Sequence, residues 1–576
     1  MERKFKVLLF VVFGVFVIFG IRLFQLQILE GEKHREMLEN YMTRIEKIPA
    51  PRGKIFDRNG VLIAESVPIF EINIDLKNYS RNSLGLKKKF QTLFHQIFSD
   101  IEEMLDNPDK ASVNLTLNVE QFEKIKNQLK NFSFISYTKS YLRRYYGPKS
   151  LSHVIGYTDL KGEGKSGIEK SYDHLLKGKE GYRYTKIDAY GNEIEISRTI
   201  DPVPGKDLYL TIDVNLQKKL EELLSKLNKP SSAIALNPEN GEILAMVSYP
   251  YFDSNIFSDG ITNEEWEKFI KDPTYPLLNR AISSSYTPGS IIKPFTALTA
   301  LYYDLINPLE TLNCKGKYEL VSDTTGEILA TYKDWTSFGH GEVNMIDALK
   351  VSCNTYFYNL GAKIGIQKLS EFSNLIGLDH KTDIDIPGEI SGVYPSIDWK
   401  RRRLNEDWYK GDTVLVSIGQ GYVSLTPIEI TMLYSLIATE GKIFKPHLLE
   451  KVLSKSIPES YETVKTVLFK EIHLSKDKWN IIKEGLKRVV NYPGTSIIDR
   501  GTAYEEFKGF EHPVAGKTGT AELGNSEATH AWFACFSPVE NPSIVLVVFV
   551  DKGGYGGQVA APIAREFLEY YYRLNK

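Results

Sequence analysis

Ser285-Tyr286-Thr287-Pro288-Gly289-Ser290-Ile291-Ile292-Lys293-Pro294 sets a serine and a lysine three residues apart behind a Pro-Gly turn. Ile291, Ile292, Phe295 and Leu298 recur at helical spacing, which predicts a helix with Ser290 at its N-terminus. Residues i and i+3 share a helix face, so Lys293 can approach the Ser290 oxygen and activate a hydroxyl that is otherwise a poor nucleophile. Unpaired amides at the helix start favour a developing oxyanion. Alone, a Ser-x-x-Lys spacing also arises by chance in a long chain, and a solvated helix start fits it equally well.

Its partners lie further along. Residues 343–358 read as a helix, and Ser352-Cys353-Asn354 within it offers a hydroxyl and a carboxamide in one direction with Cys353 pointing away. Val514-Ala515-Gly516-Lys517-Thr518-Gly519-Thr520-Ala521 reads as an edge strand whose glycine lets a substrate backbone approach closely. Strands are expected at 232–236, 242–248, 529–536 and 544–550, with a helix near 214–227. Ser-x-x-Lys, Ser-x-Asn and Lys-Thr-Gly thus occur in the order described for penicillin-recognising serine acyltransferases.

With 576 residues the chain is long enough for several units, and 71 basic against 73 acidic residues leave a net charge of -2. Neither the charge balance nor any recognition pattern calls for nucleic acid. Residues 1–6 are basic, and the apolar run from Val7 to Ile21, extended by Leu23 and Phe24, lacks a pair of small residues for a peptidase. An uncleaved single-pass anchor at 7–24 is therefore expected, with 1–6 in the cytoplasm. A charged, helix-compatible stretch follows at 25–47, then a hairpin turning at Asn59-Gly60, helices between about 84 and 132 with Phe90, Leu93, Phe94, Ile97 and Phe98 on one face, and Gly-rich segments at 151–157 and 167–173. Val203-Pro204-Gly205-Lys206-Asp207 reads as a linker, placing a boundary near 205. His153 and His530 read as structural, and 551–557 as a Gly-rich turn before a final helix.

Together these features resemble the class B penicillin-binding proteins. Trp335 with Gly339-His340-Gly341, and Asp407-Trp408-Tyr409-Lys410-Gly411-Asp412 ahead of Ser417-Ile418-Gly419-Gln420-Gly421, are most similar to the elongation-type members, the penicillin-binding protein 2 group. The resemblance implies an α+β fold: a serine β-lactamase-like transpeptidase domain at 206–576, its antiparallel sheet flanked by helices, preceded by an elongated mixed α/β pedestal of the dimerisation type at 25–205. It implies a D-Ala-D-Ala transpeptidase of the inner (cytoplasmic) membrane with its catalytic domain in the periplasm. Ser290 would attack the penultimate D-alanine carbonyl of a peptidoglycan stem peptide, with Lys293 as base, Lys517 helping to keep it neutral, and Ser352 relaying the proton to the leaving amine. Asn354 would orient the donor, Lys517, Thr518 and Gly519 would line its carboxylate site, and the amides of Ser290 and Thr520 would form the oxyanion hole. β-lactams would acylate Ser290. Implied partners are lipid II-derived glycan strands, a SEDS-family membrane glycosyltransferase and elongation-complex scaffold proteins.

The alternatives are a division-type (septal) transpeptidase, a β-lactam sensor and a β-lactamase. A sensor would have only about six cytoplasmic residues to signal with. One lactamase class uses a Glu-x-x-Leu-Asn pattern for deacylation, and here Leu404-Asn405 has Arg401 in the glutamate position. The three cysteines are Cys314, Cys353 and Cys535. Cys314 and Cys353 bracket Asp334 and His340, a donor set suited to a closed tetrahedral zinc, and a Cys314–Cys353 disulfide is the competing reading. The window also resembles a zinc site of elongation-type members in which Asp334, His340 and Cys353 match ligands and an aspartate stands where this chain has Cys314. Cys535 is expected as a buried thiol.

Overall fold

Strand Ile544–Val550 is a run of seven apolar residues, all buried, and such a strand belongs in the middle of a sheet covered on both faces. The computed structural model describes residues 2–33, 42–99, 101–105, 111–188, 193–454, 460–524 and 526–574. In it Ile544–Val550 is the third strand of an antiparallel five-stranded sheet, ordered Ile243–Tyr249, Ser231–Leu236, Ile544–Val550, Ser526–Ser537, Ala515–Leu523. Side-chain alternation sorts its residues into two cores. Ile234, Met246, Trp532, Val547 and Phe549 face the layer that contains Phe295, Leu298 and Phe357, while Ala233, Val247, Phe533, Cys535 and Val548 face Leu220 and Leu224 of helix Val214–Ser225 and Phe567 of helix Gly556–Leu574. This is the helix-flanked antiparallel sheet expected for the catalytic domain, and it leaves the Lys517 strand at one edge.

The chain divides into two compact units: Met1–Pro51, Pro68–Tyr141 and Gly178–Gly205 in one, Arg52–Val67, Leu142–Lys177 and Lys206–Lys576 in the other. The chain passes between the units for the last time at Gly205–Lys206, and 52–67 and 142–177 belong to the unit that holds the five-stranded sheet. Ile55, Ile63, Leu151, Val154, Ile155 and Ile168 join the same core as Phe295. A buried ion cluster reinforces this: Glu169, wholly buried, receives Arg52 Nε at 2.5 Å and Arg143 Nε at 2.7 Å, and Arg52 also reaches Asp173 at 2.6 Å. The glycines of the 151–173 segment serve close backbone contact. A Cβ on Gly167, whose φ is +55°, would lie 2.5 Å from the Gly156 nitrogen. His153 packs edge-on to Phe252, burial pushes its pKa down to about 4, and Nε2 of the neutral ring donates to the Pro250 carbonyl at 3.3 Å, a structural role.

The other unit holds a sheet of Thr43–Ile48, Gly181–Ile187 and Glu193–Ile200, and a core built from Phe90, Phe94, Leu115, Phe122 and Phe134. The 25–47 stretch ends in strand Thr43–Ile48 rather than helix, with 34–41 lying outside the described residues. Helix Leu84–His95 buries Phe90, Leu93 and Phe94, and Ile97 and Phe98 pack on the same core just past its end. The helical region is interrupted by strand Ser112–Asn118, whose Val113, Leu115 and Leu117 alternate inward. Helix Glu2–Phe24 continues to Leu29, carries no buried residue and is long and apolar enough to cross a membrane.

Removing Glu169 leaves the buried Arg143 guanidinium without its carboxylate and Arg52 with Asp173 alone, and breaking such a buried pair typically costs about 3–5 kcal/mol. Glu169→Ala is expected to move the urea unfolding transition of the purified protein to clearly lower denaturant. An unchanged transition would show that the cluster does not hold these segments in place.

Candidate active site

Ser290 lies in a 3-10 turn, Gly289–Ile292, and Lys293 opens helix Lys293–Tyr302, so the serine sits one turn ahead of the regular helix rather than in its first turn. The turn is held by backbone. Gly289, at φ +57°, donates to the Gly419 carbonyl at 3.0 Å, and a Cβ on it would lie 2.6 Å from the Thr520 carbonyl oxygen. A Cβ on Gly419 would lie 2.3 Å from the Gly289 carbonyl. Both positions therefore require glycine. The Gly419 segment is itself fixed, since Thr296 donates to the Ser417 carbonyl at 2.8 Å, and helix Lys410–Val416 leading into it is braced by Lys400, which donates to Asp412 at 2.7 Å. Tyr434 caps the Ile291 carbonyl at 3.0 Å, and Trp532 Nε1 donates to the Thr287 carbonyl at 3.1 Å.

The expected helix over 343–358 is two helices, Met345–Lys350 and Asn354–Ile376. Ser352 adopts φ +57° between them, the left-handed conformation that non-glycine residues take at a cost, and one that clusters at functional sites. The break turns Ser352 and Asn354 toward Lys293. The Lys293 side chain is fully buried, and its Nζ donates to the Ser352 carbonyl at 2.7 Å, the Ser352 hydroxyl at 3.2 Å and Asn354 Oδ1 at 2.6 Å. Ser290 is not among its hydrogen-bond partners here, which differs from the direct approach expected of the i, i+3 spacing.

Lys293 has its pKa lowered to about 8 by burial, against the pull of Asp334 and then Cys353 toward the charged form. Lys517, also fully buried, is driven well below its ordinary value by burial and then by Lys293. Burial is the chief cause of both depressions, and the charge of Lys293 adds to that of Lys517.

Lys517, Thr518, Gly519 and Thr520 lie on edge strand Ala515–Leu523. Gly519 is required from behind: a Cβ there would meet Trp532 Cβ at 3.0 Å and both Ile291 Cβ and the Pro288 carbonyl at 3.1 Å. Its lack of a side chain lets the strand pack closely on the serine turn. Lys517 Nζ donates to the Thr518 carbonyl at 3.1 Å, and the Thr518 hydroxyl lies 2.7 Å from that of Thr502. Sequence reading missed Thr502, which stands far from the three motifs and carries no spacing signal. His530 pairs with Asp551 at 3.1 Å and packs edge-on to Tyr286, a supporting place beneath the serine turn. Asn405 takes the left-handed cap of helix Ile397–Leu404, which accounts for it without a deacylation role.

Behind the Ser352 corner, Cys314, Asp334, His340 and Cys353 present ligand atoms all within 4.8 Å of one another. Cys314 Sγ is 3.5 Å from both Asp334 Oδ2 and His340 Nδ1, Cys353 Sγ is 3.3 Å from Asp334 Oδ2, and His340 Nδ1 is 3.8 Å from that oxygen. These separations suit a tetrahedral centre with bonds of about 2.0–2.3 Å. Hydrogen bonding from Cys353, ahead of that from His340, lowers the Cys314 pKa to about 4, while burial raises that of Cys353. In this structure no disulfide joins Cys314 to Cys353, and Cys535 is buried. The cluster reaches the corner directly. Cys353 Sγ accepts from the Tyr356 amide at 3.3 Å as the cap of Asn354–Ile376, Asp334 Oδ2 accepts from the Thr355 amide at 2.8 Å, and Trp335 Nε1 donates to the Val351 carbonyl at 3.0 Å.

Residues 231–569 match the family model for the penicillin binding protein transpeptidase domain, and residues 47–210 that for the penicillin-binding protein dimerisation domain. The peptidoglycan D,D-transpeptidase MrdA of Haemophilus influenzae is 29% identical, the match covering 97% of this chain and 90% of the relative. The penicillin-binding protein PBP2 of Helicobacter pylori, solved in complex with MreC, is 29% identical with a TM-score of 0.77, covering 92% of this chain and 99% of that one. A chain of a peptidoglycan synthase complex, studied for the coordination of polymerization and crosslinking, is 27% identical with a TM-score of 0.73, covering 99% and 98%. With its helix-flanked sheet, its serine turn pressed on the Lys517 strand and a family match over most of that unit, the chain belongs to the penicillin-binding protein transpeptidase family.

Proposed function

We propose that this chain is a peptidoglycan D,D-transpeptidase of the elongation type, cross-linking stem peptides through an acyl-enzyme on Ser290. The observation that carries the reading is a fully buried lysine one turn from a half-exposed serine, bonded to Ser352 and Asn354 and depressed to about 8. In its neutral form Lys293 takes the Ser290 proton as Oγ attacks the penultimate D-alanine carbonyl. Free-state contacts at such sites are commonly loose and tighten with substrate, so its present hydrogen bonds to Ser352 and Asn354 fit this role. The new Oγ–C bond forms a tetrahedral oxyanion that the amides of Ser290 and Thr520 stabilise. Collapse breaks the C–N bond, and the proton passes from Lys293 through the Ser352 hydroxyl, 3.2 Å away, to the leaving D-alanine amine. Asn354 orients the donor peptide. Lys517 and Thr518 receive its carboxylate, whose charge restores the proton affinity that burial and Lys293 take from Lys517. An amine of a neighbouring stem peptide then attacks the acyl carbon, giving up a proton to Lys293. The new C–N bond completes the cross-link as the Oγ–C bond breaks, and that proton returns to Ser290 Oγ.

The Cys314, Asp334, His340 and Cys353 set fits structural zinc in donor type and spacing. His340 Nδ1 faces the cluster, and Nε2 is buried without a hydrogen-bond partner. Bound zinc would supply a rigid brace for the Ser352 corner and take no part in the acyl transfer. Helix Glu2–Phe24 serves as the anchor, with 1–6 in the cytoplasm and the catalytic unit in the periplasm. The unit containing 68–141 and 178–205 acts as the pedestal. Implied partners are an MreC-like scaffold, as for the Helicobacter pylori relative, and a SEDS-family glycosyltransferase supplying nascent glycan strands.

Mixing the purified protein with a labelled penicillin is expected to leave a persistent covalent label that Ser290→Ala abolishes. Rapid release of hydrolysed drug would contradict transpeptidation, and no labelling would contradict the whole assignment. In cells, depletion should produce rounding, whereas filaments would point to septal synthesis. The zinc reading predicts about one zinc per chain by elemental analysis and two free thiols appearing only after chelation. His340→Ala should lose the metal and slow acylation with Ser290 intact. A Cys314–Cys353 disulfide by mass spectrometry, or wild-type acylation by a folded His340→Ala protein, would contradict it.

A further inference from the structure

Thr502 stands outside all three motifs, yet its hydroxyl lies 2.7 Å from that of Thr518, on the strand proposed to receive the donor's carboxylate. A threonine hydroxyl has one proton. If Thr518 spends it on Thr502, only lone pairs face an incoming carboxylate, which repels them. If Thr502 donates instead, the Thr518 proton is free for the carboxylate. The direction of this single hydrogen bond therefore decides whether Thr518 attracts or repels the substrate.

The segment carrying Thr502 is fixed on several sides. Gly501 donates to the Tyr492 carbonyl and Ala503 to the Val489 carbonyl, each at 3.0 Å. A Cβ on Gly501 would lie 2.3 Å from the Arg488 carbonyl oxygen, and one on Gly557 would lie 2.9 Å from the Thr502 carbonyl oxygen. Upstream, Asp499 accepts from Lys350 Nζ at 2.8 Å, and the Lys350 side chain is 5% exposed with its ammonium 4.1 Å from the centre of the Tyr492 ring. Lys350 is the last residue of helix Met345–Lys350, two positions before Ser352. This ion pair, buried on its Lys350 side, thus ties the Thr502 segment to the corner that bears the proton-relay serine.

We propose that Thr502 is a positioning residue that donates to the Thr518 hydroxyl and so aims the Thr518 proton at the carboxylate of the donor peptide or of a β-lactam. This rests on the transpeptidase reading above.

The test compares acylation of the full-length protein by a penicillin with acylation by its methyl ester, which lacks the anionic carboxylate, following the adduct by intact mass. Thr502→Val keeps the shape and removes the hydroxyl. It is expected to slow acylation by the penicillin several-fold, because the Thr518 hydroxyl loses the donor that fixes its rotor with the proton toward the carboxylate, and to leave the ester rate at the wild-type value. Thr502→Ser should restore the penicillin rate. Equal slowing of both compounds, or an unchanged penicillin rate, would overturn the proposal, as would Thr502→Ser behaving like Thr502→Val. Should Thr502→Val not fold, Thr502→Ala carries the same expectation. A wild-type protein that neither compound acylates would overturn the underlying transpeptidase reading, a result distinguishable from loss of selectivity in a variant of an active wild type.

Discussion

The burial of Lys293 is the constraint on which the rest of the site depends. An ammonium removed from water needs acceptors, and the chain supplies three by breaking a helix at Ser352 and turning its carbonyl, its hydroxyl and Asn354 inward. The left-handed Ser352 is the cost of that turn, and it persists because the surroundings over-determine it. Trp335, Asp334 and Cys353 hold the corner from behind. The same desolvation that demands acceptors also lowers the lysine's hold on its proton, so one burial gives both the geometry of the site and, in the proposed function, the means to activate Ser290.

Close backbone contact is the second requirement. Gly289, Gly419 and Gly519 lie where side chains would separate the serine turn from the Lys517 strand. The Lys517 strand lies at the open edge of the sheet, the side on which the proposed function would lay an extended peptide.

The catalytic motifs were legible because each is a short, local spacing whose chemistry constrains residue type: a serine with a lysine one turn on, a serine with a carboxamide two residues on, a lysine on a glycine-punctuated strand. The central sheet was legible from its apolar runs. What escaped sequence reading depends on long-range packing. The periodicity of 343–358 carries no mark of the break at Ser352, because the acceptors it provides serve Lys293, 59 residues away in sequence. Glycine at 519 reads the same whether a substrate or Ile291 sits against it. The pedestal boundary looked continuous because Arg52, Arg143 and Glu169 meet across more than a hundred residues, and Thr502 meets Thr518 with no spacing to announce it.

The most direct test of the account is the pH dependence of Ser290 acylation by a penicillin. A base with a pKa lowered to about 8 predicts a second-order rate that rises about tenfold per pH unit below that value and levels off above it, as burial leaves Lys293 unprotonated. The inflection should vanish together with most of the rate in Lys293→Met. A rate independent of pH from 6 to 10, or one still rising near the ordinary lysine value of about 10.4, would contradict the claim that a buried, neutral Lys293 drives the chemistry.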